Sequence, residues 1–218
     1  MSNNELTVVI NTFQSGEKIE QCLNSIDSEQ RVLLIENSND LNFKKKIENK
    51  YKNVICTLAG ENLGYAKGNN LGLSMVKTKF ALILNPDAIL EKDTIKNFFI
   101  CVNRIDNFAI IGPAVQDEFS SNDKNKDKDD LFEVDRLKGF AMFLNLAQVR
   151  EIGFFDENFF IYLEETDLCK RLKLKDKKIF LDKNIKINHL GGSSHDKKIN
   201  FEMELSRNWH WMWSKFYF

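Results

Sequence analysis

At 218 residues with 43% hydrophobic content, the chain is long enough to bury a full core as one large domain or two small ones. A formal net charge of -1 leaves no electrostatic footprint for nucleic acid. Cysteines at 22, 56, 101 and 169 form no Cys-x-x-Cys pair, which argues against a zinc site or a disulfide framework; with neither a leader-like N-terminus nor a run of ~18 apolar residues, the expected setting is a reducing cytoplasm.

Apolar runs at 6–10, 32–35, 54–58 and 80–84 predict buried strands. Helical spacing of Ile19, Cys22, Leu23 and Ile26 follows the first run, a second helix spans about 64–75, and a third covers 94–102. The β-α-β-α order predicts a parallel sheet with helices on both sides. Ligands of such sheets bind beyond the carboxyl ends of the strands.

Polar residues fall at those ends. Asn11, Thr12 and Phe13 follow the first strand; Glu36, Asn37 and Ser38 the second; Asn85, Pro86 and Asp87 the fourth. Turn chemistry accounts for any one set, but three sets at one sheet edge are harder to assign to turns alone. Glu36 offers a carboxylate to a nucleobase or ribose, and Asp87, fixed by Pro86, offers one to a metal bound to phosphates. Residues 60–72 supply glycines for close backbone approach, Lys67 and paired amides where a helix begins, a pattern that favours anions. A glycine-rich turn without a ligand also accounts for it; it is neither a G-x-G-x-x-G fingerprint nor a P-loop.

The polar run at 117–130 carries six acids and three lysines and predicts a solvated loop, with a lid over a bound ligand as the second reading. Further on, Glu164, Glu165 and Asp167 open a helix whose far end holds Lys170, Arg171, Lys173 and Lys175, the charge order that suits a helix dipole. Asp167 and Arg171 are spaced for a surface pair. Glu165 shares its face with Leu168, Cys169 and Leu172, whereas Glu164 falls on the flank with Asp167. A strand-like run ends at His189. In the tail, Trp209, Trp213 and Phe216 stand at helical spacing: core packing is the first reading, contact with the inner membrane face the second.

The ordered set of motifs resembles a family 2 glycosyltransferase of GT-A type, in the rhamnosyltransferase-like branch that builds bacterial surface polysaccharides such as O-antigen and capsule. The matching pieces are Val8-Val9-Ile10-Asn11-Thr12-Phe13, Glu36-Asn37-Ser38, Asn62-Leu63-Gly64-Tyr65-Ala66-Lys67-Gly68-Asn69-Asn70 and Leu84-Asn85-Pro86-Asp87. They continue with Gly139-Phe140-Ala141-Met142-Phe143, Ile152-Gly153-Phe154-Phe155-Asp156-Glu157, Leu163-Glu164-Glu165-Thr166-Asp167-Leu168-Cys169 and His189-Leu190-Gly191-Gly192-Ser193. The set covers nearly the whole chain.

The resemblance implies an α/β fold, a mostly parallel central sheet flanked by helices in a single domain. Residues 1–87 would form a nucleotide-binding half, 88–199 an acceptor and catalytic half, and 200–218 a C-terminal aromatic helix. It implies inverting, metal-dependent transfer from dTDP-rhamnose or a UDP-hexose to a glycan or lipid-linked saccharide, with Mn²⁺ or Mg²⁺ as cofactor. Asp87, at the last place of the D-x-D motif, and His189 are the implied metal ligands. Glu165 is the implied base, with Glu164 the alternative. Donor contacts fall on Thr12, Phe13, Glu36, Asn37, Asn62, Gly64, Lys67, Asn70, Asn85 and Asp87; acceptor contacts fall on Gly139, Asp156 and Glu164. The chain departs from the family's usual aspartates at Glu36 and Glu165, and has Asn85 at the first D-x-D place. A catalytically silent nucleotide-sugar-binding subunit and a nucleotidyltransferase are the alternatives from other classes.

Overall fold

A computed structural model of the chain describes residues 4–16, 18–114, 130–189 and 200–218. Alternation of side chains builds its centre: along β1 (Leu6–Thr12), Leu6, Val8 and Ile10 enter one apolar layer and Val9 the other. β2 (Val32–Glu36) and β4 (Phe80–Leu84) divide in the same way and are buried throughout. Strands buried on both faces require cover on both faces. The helices α1 (Lys18–Asn24), α2 (Leu41–Lys50) and α4 (Thr94–Arg104) supply Cys22, Ile47 and Phe98 to the first layer. On the other side α3 (Gly64–Met75), α5 (Leu146–Ile152) and α6 (Glu164–Lys173) supply Leu73, Val149 and Leu168.

The predicted strands and helices appear at or near their expected bounds, and the β3-β2-β1-β4 block is parallel, with Val8 paired to Val32 and Leu6 to Phe80. One expectation needs correcting: β3 (Val54–Leu58) is an edge strand with Ile55 52% exposed, so it is half-buried, because its outer neighbour is solvent. Beyond β4 the sheet becomes mixed. β8 (Ala141–Asn145) runs antiparallel to β4 and to β6 (Ile110–Pro113); β9 (Ile179–Asp182) is parallel to β6, and β7 (Leu131–Val134) is antiparallel to β9. The result is one eight-stranded sheet of order β3-β2-β1-β4-β8-β6-β9-β7.

Two small elements position chemistry. β5 (Ala88–Leu90) and β10 (Ile187–His189) form an antiparallel ladder that sets His189 opposite Ala88. α7 (Asn200–Tyr217) lies against the 156–162 loop, where Ser214 Oγ donates to the Ile161 carbonyl at 2.9 Å. The loop predicted at 117–130 falls outside the described residues except for Asp130, as do residues 190–193 of the motif that begins at His189.

Candidate active site

Where β1 and β4 end, a cleft of about 140 Å³ opens. Its floor is stitched by amides. Asn11 Nδ2 donates to the Gly64 carbonyl at 2.8 Å, and Asn37 Nδ2 donates to Asn11 Oδ1 at 2.6 Å, so the ends of β1 and β2 are tied to the first turn of α3. Asn62 Oδ1 accepts from the Gly64 amide at 3.1 Å, satisfying one of the orphan donors of that helix start. Gly64 is required here: its φ is +70°, and a Cβ would lie 2.3 Å from the Phe160 carbonyl oxygen. That carbonyl accepts from the Tyr65 amide at 2.6 Å. Thr12, Phe13, Asn85 and Pro86 line the same cleft, together with Tyr65, Phe160, Ile161 and Arg207. A larger cavity of about 610 Å³ between the end of α1 and the start of α4 contains none of these strand-end residues, so volume alone does not mark the site.

Next to the cleft, the turn that ends β4 is closed by the Ala88 amide donating to the Asn85 carbonyl at 3.1 Å, and it buries Asp87 to 4% exposure. The β5–β10 ladder brings His189 Nε2 to 3.3 Å from Asp87 Oδ1. Phe140 stacks on the imidazole with centroids 4.4 Å apart and planes 6° from parallel, which fixes the ring. A carboxylate oxygen and an imidazole nitrogen at this separation form a donor pair compatible with Mn²⁺ or Mg²⁺. No group of three or more His, Cys, Asp or Glu side chains converges among the described residues.

The acids of α6 are reached through a strained entry, for Tyr162 and Leu163 adopt φ of 75° and 68°. Glu164, with 4% exposure, is the more buried acid, and Glu165 is partly exposed. Burial, then the charge of Glu165, pushes the Glu164 carboxyl up to about 8; burial also raises Glu165. Two neighbouring carboxyls raised in this way titrate as a pair, the charge on one disfavouring charge on the other. The more buried Glu164 is the better place for the proton, leaving the charge on Glu165. Tyr65 joins this pair to the cleft: its hydroxyl donates to the Gly139 carbonyl, and a Cβ on Gly139 would sit 3.3 Å from that hydroxyl and 3.5 Å from Glu165 Cβ. Burial foremost, and then both acids, hold the Tyr65 hydroxyl well above its ordinary pKa. It is a neutral donor.

The family model for glycosyl transferase family 2 matches residues 7–180. The chain belongs to glycosyl transferase family 2. Among curated relatives, the low-salt glycan biosynthesis hexosyltransferase Agl10 of Haloferax volcanii is 24% identical over 192 residues, covering 78% of this chain and 62% of Agl10. Rhamnosyltransferase WbbL of Escherichia coli (strain K12) is 23% identical over 191 residues, 72% of each chain. The chain thus spans less than two thirds of Agl10. Among solved structures, the mannosyltransferase PcManGT of Pyrobaculum calidifontis, in complex with GDP-Man and Mn²⁺, superposes with a TM-score of 0.68 at 12% identity, covering 83% of this chain and 55% of that one. The architecture is the GT-A fold expected from the motifs.

Within this family 2 chain, six of the ten expected donor residues line the cleft: Thr12, Phe13, Asn37, Asn62, Gly64 and Asn85. Asp87 lies beside His189, while Gly139 meets Glu165 through its backbone. Four others take different surroundings. Glu36 spends both carboxylate oxygens on its own turn, Oε1 accepting from the Ser38 amide at 2.9 Å and Oε2 from the Asp40 amide at 2.7 Å. Asn70 uses both ends of its amide on the Phe155 backbone, at 2.9 and 3.1 Å. Lys67 is exposed on α3 away from the cleft lining. Asp156 accepts from Asn158 at Oδ1 and from the Tyr217 hydroxyl at Oδ2, 2.9 Å each; burial opposes its charge, but these bonds outweigh it and hold the carboxyl below its ordinary pKa.

Two further expectations are corrected. Glu164, placed on the helix flank by periodicity, is the buried acid, because the left-handed residues before α6 turn its first residue inward. Asp167 does pair with Arg171 at 2.7 Å as expected, and Arg171 also donates to the Phe154 carbonyl at 2.6 Å. The aromatic stripe of α7 is not core: Trp209, Trp213 and Phe216 are 57%, 42% and 84% exposed. Docking uses another face, with His210 stacked on Phe160 and Tyr217 bonded to Asp156. Tyr65 stands inside the Asn62–Asn70 motif without an assigned role, and Arg207 carried no signal for a site role in the sequence; each reaches the cleft through how α3 and α7 dock.

Proposed function

We propose that the chain is an inverting glycosyltransferase that moves a sugar from a nucleotide-diphosphate donor, dTDP-rhamnose or a UDP-hexose, to a hydroxyl of a glycan or lipid-linked saccharide in surface polysaccharide synthesis. The observation that carries this reading is the 3.3 Å approach of Asp87 to His189 beside the strand-end cleft. The raised acid pair, joined to that cleft through Tyr65, adds the second requirement of such a reaction. Both classes of donor have precedent in the names of the relatives, one a hexosyltransferase and one a rhamnosyltransferase.

The donor lies in the cleft against Thr12, Phe13, Asn37, Asn62, Gly64 and Asn85. Asp87 and His189 would hold Mn²⁺ or Mg²⁺, which when bound would offset negative charge on the donor diphosphate. Glu165 accepts the proton of the acceptor hydroxyl as that oxygen bonds to the anomeric carbon, and the bond to the nucleoside diphosphate breaks on the opposite face. Glu164 keeps its proton, so only one negative charge has to be borne by the acid pair. Tyr65 and Gly139 fix the wall between the donor cleft and Glu165. The segment up to Asp87 serves the donor, and the segment after it serves the acceptor.

The exposed stripe of α7 favours a peripheral seat on a membrane face, where a lipid-linked acceptor is presented. No helix among the described residues is long and apolar enough to cross a membrane.

The test is a thermal-shift and transfer panel of dTDP-rhamnose, UDP-glucose, UDP-galactose and UDP-N-acetylglucosamine, each with Mn²⁺, Mg²⁺ or EDTA. A metal-dependent rise in Tm with at least one donor is expected. Absence of such a rise with every donor overturns the reading.

A further inference from the structure

We propose that Arg207, delivered by α7, is the protein's own cation for the diphosphate of the donor. This rests on the reading of the strand-end cleft as the donor site. The other lining residues offer amides, hydroxyls, aromatic rings and apolar groups, and Arg207 is the one charged side chain among the described residues of that lining. Its side chain is 17% exposed, so its charge acts across a partly desolvated space where it is worth more than on an open surface. A planar guanidinium with forked N–H donors matches phosphate oxygens in pairs.

The arginine is also well mounted. Ser214 ties α7 to the Ile161 carbonyl at 2.9 Å, and His210 stacks on Phe160 at 4.1 Å, both on the loop that forms the cleft wall. The Phe160 carbonyl in turn receives the Tyr65 amide at the start of α3. The cation and the helix start are therefore referenced to one loop.

Arg207 Nη1 contacts Glu204 Oε1 at 3.4 Å, and that acid is 65% exposed. An exposed pair at this distance is weak. Arrival of a diphosphate exchanges that contact for a stronger one, so the guanidinium need not be unengaged beforehand.

Calorimetric titration of the full chain with UDP, dTDP and GDP, in the presence of Mn²⁺, and with the matching monophosphates tests this. For each diphosphate that binds the wild type, Arg207→Gln should weaken binding by about 10- to 100-fold, as expected for loss of charge-assisted hydrogen bonds. The monophosphate should lose less, and Arg207→Lys should recover part of the loss. Ser214→Ala, which loosens the mount of Arg207, should weaken binding in the otherwise wild-type chain but add little on top of Arg207→Gln. Wild-type-like binding by Arg207→Gln overturns the assignment alone, and so does an equal loss for the matching monophosphates. If none of the three diphosphates binds the wild type, the donor-site reading fails and takes the assignment with it.

Discussion

The two sides of the site differ in how far their polar groups are bonded. On the cleft side, most polar groups are engaged before any ligand arrives: Asn11, Asn37 and Asn62 bond to one another or to the start of α3, Glu36 is spent on its own turn, and of these four residues only Asn37 leaves a buried oxygen, Oδ1, without a hydrogen-bond partner among the described residues. On the acid side the polar groups are left short. Glu164 Oε2 is buried with no hydrogen-bond partner among the described residues, Glu165 is raised by burial, and two left-handed residues hold the entry to their helix. Bonded amides fix the shape of the cleft, whereas burial without partners disfavours the charged form of a carboxyl and raises its pKa.

The sharpest way to break this contrast is to neutralise the proposed base. Glu165→Gln should lower transfer by about 10²–10⁴-fold while donor binding, followed by calorimetry, stays within about twofold. Unchanged transfer would remove Glu165 from its role.

Next in size is a test of the cleft side. Gly64→Ala forces a Cβ to 2.3 Å from the Phe160 carbonyl at a φ of +70°, and should cost about 2–4 kcal/mol in a urea unfolding titration. A cost under about 0.5 kcal/mol would mean that the floor of the cleft is soft.

Glu164 gives a smaller, pH-dependent effect. Its folded pKa of about 8 lies above the ordinary 4.5, so the fold holds the proton more tightly than the unfolded chain does, and stability falls as pH rises between those values. Glu164→Gln removes that loss. Tm should rise by about 3 °C or more at a pH of about 8.5 and hardly move at a pH of about 4.5. The reverse order would show that Glu164 is charged in the fold.

Smallest of all, Phe216→Ala, at an 84% exposed position, should change stability by less than about 0.5 kcal/mol. Co-sedimentation with anionic liposomes should nonetheless fall if α7 rests on lipid.

How much of this was legible in the sequence follows the same division. Continuous apolar runs bounded by Asn, Asp and Pro mark β1, β2 and β4 together with their ends, so most of the strand-end cleft was readable from local pattern. The acid side depends on backbone and docking instead. Periodicity assigned Glu165 the inward face, but Tyr162 and Leu163 enter α6 in a left-handed conformation that no motif announces, and Glu164 turns inward. The stripe of α7 has the spacing of a buried face, yet Ser214, His210 and Tyr217 dock the helix from another side. Arg207 was invisible for that reason. His189 was readable as a ligand only through the family resemblance, since its approach to Asp87 depends on a ladder of short strands far apart in sequence.

That ladder has a consequence for which changes the protein can accept. Only three residues on each side set the pairing: Ile187 with Leu90, Asn188 with Ile89, and His189 with Ala88. Insertion or deletion of one residue within 187–189 would shift the alternation by one place and turn the imidazole to the opposite face. A substitution at Ile187 or Asn188 leaves the count intact, but an indel there erases the Asp87–His189 encounter while every predicted ligand is still present in the sequence. In this stretch, spacing matters to the encounter as much as identity does.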